Sequence, residues 1–291
     1  MQRVAQLLCA ALLLGAIPCA AQNRPLRTAD AEILAPGTMR VEVGFDFLQN
    51  VDFPLSGLSG DLTSVGVVAV RFGVGKMIEV QLEGTVRHFL DIKKQGASFV
   101  PLELSGARST NDTGDFSLVT KVRFFGESGR RPSFAMRFGF QMPNSNQSRG
   151  IGLNTTDVFA VFILEKHFGK LNLMGNLGLA ILQAPNAKFT QNDVLIYGGA
   201  FLYPLHRRVN LVGEVAGRHS TQTINADCQL PLPCLVGTES RSQARLGFQL
   251  FFGGFQWDVA GIAGLTKIDP HTGFTFGISK DIHLFDYGKV Q

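Results

Sequence analysis

The sequence is short of charge, of tryptophan and of long hydrophobic runs. Charged residues make up only 17% of the 291 residues, and the excess of Lys and Arg gives a net charge of +4. This small excess forms no basic block, which excludes a nucleic-acid-binding protein. Beyond residue 21, no stretch reaches the ~18 consecutive apolar residues of a membrane-spanning helix. The hydrophobic share of 45% excludes an intrinsically disordered chain.

The first 21 residues have the layout of a secretory signal peptide. Arg3 supplies the positive charge, residues 7–16 form a short apolar core, and Cys19, Ala20 and Ala21 are small residues suited to a cleavage site. An N-terminal anchor helix is the alternative, but it requires a longer apolar core. We therefore expect cleavage after Ala21 and a protein that leaves the cytoplasm.

Two cysteines remain after this cleavage. Cys228 and Cys234 lie in the segment DCQLPLPCLVG, where a zinc site would need two more ligands and only His219 is near. Paired cysteines in secreted proteins are usually oxidised. We therefore expect a Cys228–Cys234 disulfide in a loop, and no metal site.

Alternation of polar and apolar residues dominates the rest of the sequence. In residues 39–48 (MRVEVGFDFL), charged and glycine positions alternate with Val and Phe, and residues 76–90 and 133–142 repeat the pattern. A period of two residues is typical of β-strands. Segments of this kind are found at 39–48, 62–72, 77–90, 113–125, 133–142, 154–166, 171–182, 193–203, 209–218, 239–251, 255–265 and 272–282.

The connections between these segments are alternately short and long. Short turns at 73–76, 126–132 and 252–254 contrast with long connections such as 49–61 and 219–238. Short turns at one end and long loops at the other are typical of bacterial outer-membrane barrels. The pattern predicts an all-β fold: a closed, antiparallel, up-and-down transmembrane β-barrel of about 12 strands, with short periplasmic turns and long extracellular loops.

A soluble β-sandwich or lipocalin-like barrel is the alternative fold. The nearly equal strand lengths and the Phe-rich apolar face favour the membrane barrel, in which apolar side chains face lipid and polar ones face the lumen. Residue parity predicts an outer position for Val41, Val43, Phe45, Val80, Leu82, Phe134, Phe138, Phe140, Leu177 and Phe248.

The polar face carries both signs of charge in balance. A ring of one sign would predict ion selectivity, whereas a balanced set predicts a lumen braced by salt bridges, narrow or partly plugged. Bracing alone and a role in transport are both compatible with this set. The basic candidates for the lumen wall are Arg40, Arg87, Lys121, Arg123, Arg137, Arg218, Arg241 and Arg245. The acidic candidates are Glu42, Asp46, Glu79, Glu83, Glu165, Glu214, Asp258 and Asp281.

Catalytic arrangements are not recognisable in the sequence. Barrel enzymes that cleave lipid esters use a Ser and a His on the same strand face, but His219 and Ser220 are adjacent and would point to opposite faces. Residues 73–76 (GVGK) resemble a phosphate-binding loop, but no helix follows them. We expect neither enzymatic activity nor a cofactor.

The order of several segments resembles that of a known group of barrels. Residues 143–157 (PNSNQSRGIGLNTTD) follow a Phe-rich strand and precede a strand ending in EKHFGK; LNLMGNLGLA, an aromatic strand at 197–203 and VNLVGEVAG come later. This order is similar to that of the transporter-like outer-membrane barrels that include the meta-pathway phenol-degradation proteins. The resemblance implies movement of small, often apolar molecules across the outer membrane, and it supplies no catalytic residues. The N-terminal segment is short and poor in hydrophobic residues, so a lipid-uptake plug is not expected.

These observations predict a bacterial outer-membrane protein with four parts. They are a signal peptide (1–21), a periplasmic N-terminal segment (22–38), the barrel (39–285) and a C-terminal tail (286–291). The expected function is a passive channel or transporter for small solutes, with outer-membrane lipid, the barrel-assembly machinery and the solute as partners. A structural or adhesive barrel that binds partners through its outer loops, and a lipid-modifying barrel enzyme, are the alternatives.

Overall fold

The computed structural model describes residues 24–104, 106–185, 190–222 and 235–286. In these ranges the chain forms thirteen β-strands and one short 3₁₀ turn, Gln147–Arg149. The strands are β1 (Thr38–Phe53), β2 (Leu58–Gly73), β3 (Ile78–Gln95), β4 (Ser109–Asp112), β5 (Phe116–Phe125), β6 (Ser133–Met142), β7 (Val158–Phe168), β8 (Leu171–Gln183), β9 (Gln191–His206), β10 (Val209–Ser220), β11 (Arg241–Phe252), β12 (Phe255–Gly264) and β13 (Thr272–His283). Among these residues, no helix has the length and apolarity needed to cross a membrane.

The strands form one closed antiparallel barrel. Each strand pairs with its neighbour in the chain, and the pairing of β1 with β13 joins the first strand to the last. The short β4 and the longer β5 occupy one position, because β3 pairs with β5 through residues 78–83 and with β4 through residues 88–91. The barrel therefore has twelve strand positions, which confirms the predicted fold.

The strands extend further at one end of the barrel than the sequence predicts. The expected loop at 49–61 is largely strand, because β1 continues to Phe53 and pairs directly with Leu58, the first residue of β2. The other connections at this end include residues 96–108, 143–157 and 221–240, whereas the opposite end has the turns 74–77, 207–208 and 253–254. The two ends are called the loop end and the turn end below.

The outer surface of the barrel is apolar. Of the ten side chains predicted to face outward, none is buried, and Phe45, Leu177 and Phe248 are 47%, 56% and 42% exposed. Aromatic side chains cluster near the turn end, where Trp257 stacks on Phe252 with ring centroids 5.1 Å apart. Aromatic girdles mark the membrane interfaces of transmembrane barrels, so this surface is the face that contacts lipid.

A charged residue on this surface should weaken the barrel. Phe138 lies in the interior of β6 and is 41% exposed. We expect Phe138→Arg to lower the free energy of folding into lipid vesicles by about 2–4 kcal/mol, because its charge must enter the hydrocarbon. Denaturant titration followed by the fluorescence of Trp257, the single tryptophan, measures this. Phe138→Leu is the control, and equal stability of the two variants would contradict a lipid-facing position.

A bulge in β2 reverses the inward face of two strands. Gly66 has a φ of +67° and no partner in β1, whose Gly44 and Phe45 pair with Val67 and Val65. Strand β3 pairs with β2 along this region. Its exposed side chains are at even-numbered residues up to Val86 and at odd-numbered residues from 87 to 93. A bulge of this kind shifts a strand by one residue and turns its side chains to the other face.

Several predictions fall outside the described ranges. These are the signal peptide at 1–21, the Cys228–Cys234 disulfide and the C-terminal tail beyond residue 286. The described chain ends close to the wall, since Phe285 lies 6.1 Å from the ring of Phe72 and the Leu284 N–H donates to the Gly37 carbonyl.

Candidate functional site

Residues 24–34, called the belt below, lie inside the barrel. Arg24 contacts β12 and β13, Thr28 contacts β10, Ala31 contacts β7 and Leu34 contacts β3. These strands follow one another around the barrel. The belt therefore runs along most of the inner wall before the chain enters β1.

Side chains of the wall accept the main-chain N–H groups of the belt. Glu214 accepts two successive N–H groups at 2.8 Å, and Glu165 and Glu79 each accept one further along, at 2.7 and 2.8 Å. Asn176 accepts the N–H of Ala29 at 2.7 Å and donates to its carbonyl at 2.8 Å. A segment outside the strands needs such partners for its backbone, and ionised acceptors make the stronger hydrogen bonds.

The charges of the belt complement those of the wall in order. Arg24 at the start of the belt pairs with an acidic side chain of β12, whereas Asp30 and Glu32 further along pair with basic side chains of β5. Buried charges are stable only when they are paired in this way. The ion pairs are Arg24–Asp258 (3.3 Å), Lys121–Asp30 (3.0 Å) and Arg123–Glu32 (2.8 Å).

Glycines in the wall make room for the belt. A Cβ atom at Gly44 would lie 2.2 Å from the Arg24 guanidinium, and one at Gly277 would lie 2.4 Å from it. A Cβ at Gly198 would lie 2.8 Å from the hydroxyl of Thr28. The wall is therefore shaped to fit the belt as well as charged to bind it.

The position of the belt differs from the expectation for residues 22–38. The sequence predicts a periplasmic segment, but residues 24–34 lie within the barrel, and Ala29 and Ala31 are fully buried there. Alternation of polar and apolar residues gives no information about a polar segment outside the strands. The fit of the belt to the wall depends on contacts between residues that are distant in sequence. The expectation of a partly filled lumen agrees with this arrangement.

A cavity of about 710 Å³ lies against the belt within the lumen. Its walls combine charged and apolar groups. The charged side chains outside the belt include Glu42, Asp46, Arg71, Glu83, Arg137, Arg218, Arg241 and Arg245. The apolar side chains include Phe159, Val161, Leu182, Val194 and Ile196.

The loop end of the barrel is packed with apolar side chains. Leu58 and Leu90 are 1% exposed and form a cluster with Leu104 and Ile151 from the loops. A second cavity of about 250 Å³ lies among these loops, and residues 218 and 241 line both cavities. These two arginines therefore lie between the loop end and the cavity in the lumen.

Most of the charged residues predicted for the lumen wall contact the belt or one another. Arg40 pairs with Asp281 at 2.5 Å, and Arg71, which is not among the predicted residues, pairs with Glu42 at 3.3 Å. The alternation of residues 68–72 (VAVRF) is the signal that could have identified Arg71. The predicted residues that contact the belt are Glu79, Lys121, Arg123, Glu165, Glu214, Arg245 and Asp258. Those that line the cavity are Glu42, Asp46, Glu83, Arg137, Arg218, Arg241 and Arg245.

Arg87 does not share this inward position. Its side chain is exposed and donates to Asn111, which is exposed as well. Counting every second residue along β3 predicts that Arg87 lies on the same face as Glu79 and Glu83. The change of face beside the Gly66 bulge invalidates that count.

The Ser and His considered for catalysis lie on opposite faces of β10. His219 is exposed, whereas Ser220 is buried and accepts a hydrogen bond from Asn192 at 2.8 Å. In the part of the chain that the structure describes, no group of three or more His, Cys, Asp or Glu side chains could hold a metal ion.

The fold is similar to that of solved outer-membrane barrels. An outer-membrane channel from Pseudomonas putida F1 matches with a TM-score of 0.58 and 14% identity, over 87% of this chain and 98% of that one. The NanC porin matches with a TM-score of 0.46 and 7% identity, over 85% of this chain and 100% of that one. Neither a family model nor a curated protein matches the sequence. The closed barrel and its lipid-facing surface place the protein in the bacterial outer membrane.

Proposed function

We propose that the protein is a passive channel for small solutes across the bacterial outer membrane. The observation that carries the proposal is the cavity of about 710 Å³ lined by the barrel wall and the belt. This volume is in the range of sites that hold small molecules. A purely structural barrel has no need of a lumen with this space.

The belt sets the width of the proposed pathway. It occupies the lumen at the level where Lys121, Glu79 and Ala31 are almost completely buried, so a solute must pass beside it or displace it. We infer that the full chain conducts weakly and passes only small molecules.

The sequence resemblance extends the proposal to a transport group. The order of the segments from 143–157 to VNLVGEVAG is similar to that of barrels that include the meta-pathway phenol-degradation proteins. Apolar side chains in the cavity, such as Val194 and Ile196, support small, partly apolar solutes. Outer-membrane lipid and the barrel-assembly machinery belong to the proposal as partners, because every barrel of this kind must fold into that membrane.

Planar-bilayer recordings of the purified, signal-cleaved protein test the proposed function. We expect discrete conductance steps of small size, and swelling of proteoliposomes in small solutes but not in larger sugars. Protein unfolded by heat before reconstitution is the control for leakage.

The alternative functions predict other results. Absence of conductance and swelling, both in the full chain and in a chain without the belt, would contradict a channel and favour a structural or adhesive barrel. Turnover of phospholipid or lipid A by the purified protein would favour a barrel enzyme.

A further inference from the structure

Four arginines converge on the cavity between the belt and the loop end. Arg218 and Arg241 are directly paired across β10 and β11, and Arg27 of the belt and Arg245 line the same space. The charge of Arg27 acts on both Arg241 and Arg245. Like charges placed directly opposite in a sheet repel one another.

Arg245 pairs with Glu214 at 3.6 Å, whereas Arg218 and Arg241 form no ion pair with a carboxylate of the described chain. Arg218 donates to the carbonyl oxygens of Glu239 and Gly237 at 2.9 and 3.0 Å, and Arg241 donates to the Asp52 carbonyl at 3.2 Å. Within the described ranges, the guanidinium of Arg27 has no hydrogen bond or ion pair, and its residue is exposed to the cavity.

The nearby carboxylates are engaged by other groups. Asp269 accepts hydrogen bonds from the Ser242 N–H and the Thr266 hydroxyl, both at 2.7 Å. Asp157 accepts the N–H of Gln183 at 2.9 Å, and Glu239 accepts the N–H of Gly237 at 2.8 Å. Their charges reduce the local potential but leave the guanidinium donors facing the cavity.

An apolar surface lies beside the arginine pair. Ile196 of β9 is the direct neighbour of Arg218 in the sheet, and it packs on a cluster formed by Ala180, Leu182 and Val194. A ligand held by the arginines would therefore place its remaining atoms on hydrocarbon rather than on polar groups.

We propose that this cavity binds a small organic anion, with its carboxylate held by Arg27, Arg218 and Arg241 and its hydrocarbon chain on the surface around Ile196. A guanidinium fork matches a carboxylate in geometry as well as in charge. This assignment deepens the proposed channel function, on which its transport consequence rests, although binding can be measured without transport.

Pentanoate and its neutral counterpart pentanamide are the probes. We expect pentanoate to block the single-channel current and pentanamide to leave it unchanged. In the double variant R218Q/R241Q, the pentanoate concentration for half-block should rise roughly tenfold, the loss expected from charged hydrogen bonds. R27Q changes a residue of the belt rather than of the barrel wall. It should also raise the pentanoate concentration needed for half-block.

Arg87→Gln is the matched control. It removes a barrel arginine that is exposed and does not line the cavity. Heat-modifiable gel mobility verifies that each variant is folded. Equal block by pentanoate and pentanamide, or an equal change in R87Q and R218Q/R241Q, would overturn the proposal.

Saturation-transfer NMR separates this proposal from the channel function. Pentanoate signals that weaken in R218Q/R241Q but not in R87Q support the site, even if bilayers show no current and the channel function fails. Conductance in bilayers together with no binding of pentanoate to the wild-type protein would contradict the anion site and still support the channel function.

Discussion

Deletion of residues 22–34, behind an intact signal peptide, should raise the single-channel conductance several-fold. The belt fills the lumen where Ala29 and Ala31 are fully buried, and its removal exposes a wall that is already polar. The barrel should still fold, because its strand pairing does not include the belt. Bilayer recordings measure the conductance, and heat-modifiable mobility reports folding.

A second variant keeps the belt at full length but disturbs its packing against the wall. Gly277→Leu puts a side chain where the Arg24 guanidinium lies, so we expect an intermediate increase in conductance. Gly261→Leu, at an outward-facing position of β12 with open space around it, should leave the conductance unchanged. A folded deletion variant with the conductance of the full chain would contradict the role of the belt as a constriction.

Replacement of Lys121 by Met should destabilise the protein by about 3–5 kcal/mol, the usual cost of removing one partner of a buried ion pair. Lys121 is completely buried, and its ammonium lies 3.0 Å from Asp30 and 3.5 Å from Glu79. Without it, two carboxylates face each other in the lumen. Denaturant titration in lipid vesicles, followed by Trp257 fluorescence, measures the loss.

Two further variants make the result specific to this site. Lys170→Met removes an exposed lysine from the β7–β8 turn and should change the stability little. Adding Asp30→Asn to Lys121→Met removes one of the two opposed carboxylates and should restore part of the lost stability. An unchanged or lower stability of the double variant would contradict repulsion as the cause.

The wall carries charges of both signs because many of them bind the belt. Single-sign rings select ions in open pores, whereas here Glu79, Glu165 and Glu214 serve as acceptors for the belt backbone. Lys121 and Arg123 then pair with the acidic side chains of the belt. The arginines nearer the loop end have no such partners in the belt, which leaves them available to a ligand.

The sequence by itself determined the barrel, its strand number and its outer surface. These features depend on alternation within single strands, as in residues 39–48, and on the spacing of turns. Side chains such as Phe45, Phe138 and Leu177 face lipid because each strand has only two faces and the opposite one is polar.

Only the tertiary structure decided how the lumen is filled. The Gly66 bulge turned Arg87 away from the face that counting predicts, because one inserted residue reverses parity. The belt could not be found from periodicity, since Arg24 and Asp258 meet across more than two hundred residues and the belt has no repeating pattern of its own. Alternation reports which face a side chain takes within a strand, whereas filling a lumen depends on the charge and shape of distant segments brought together by closure of the barrel.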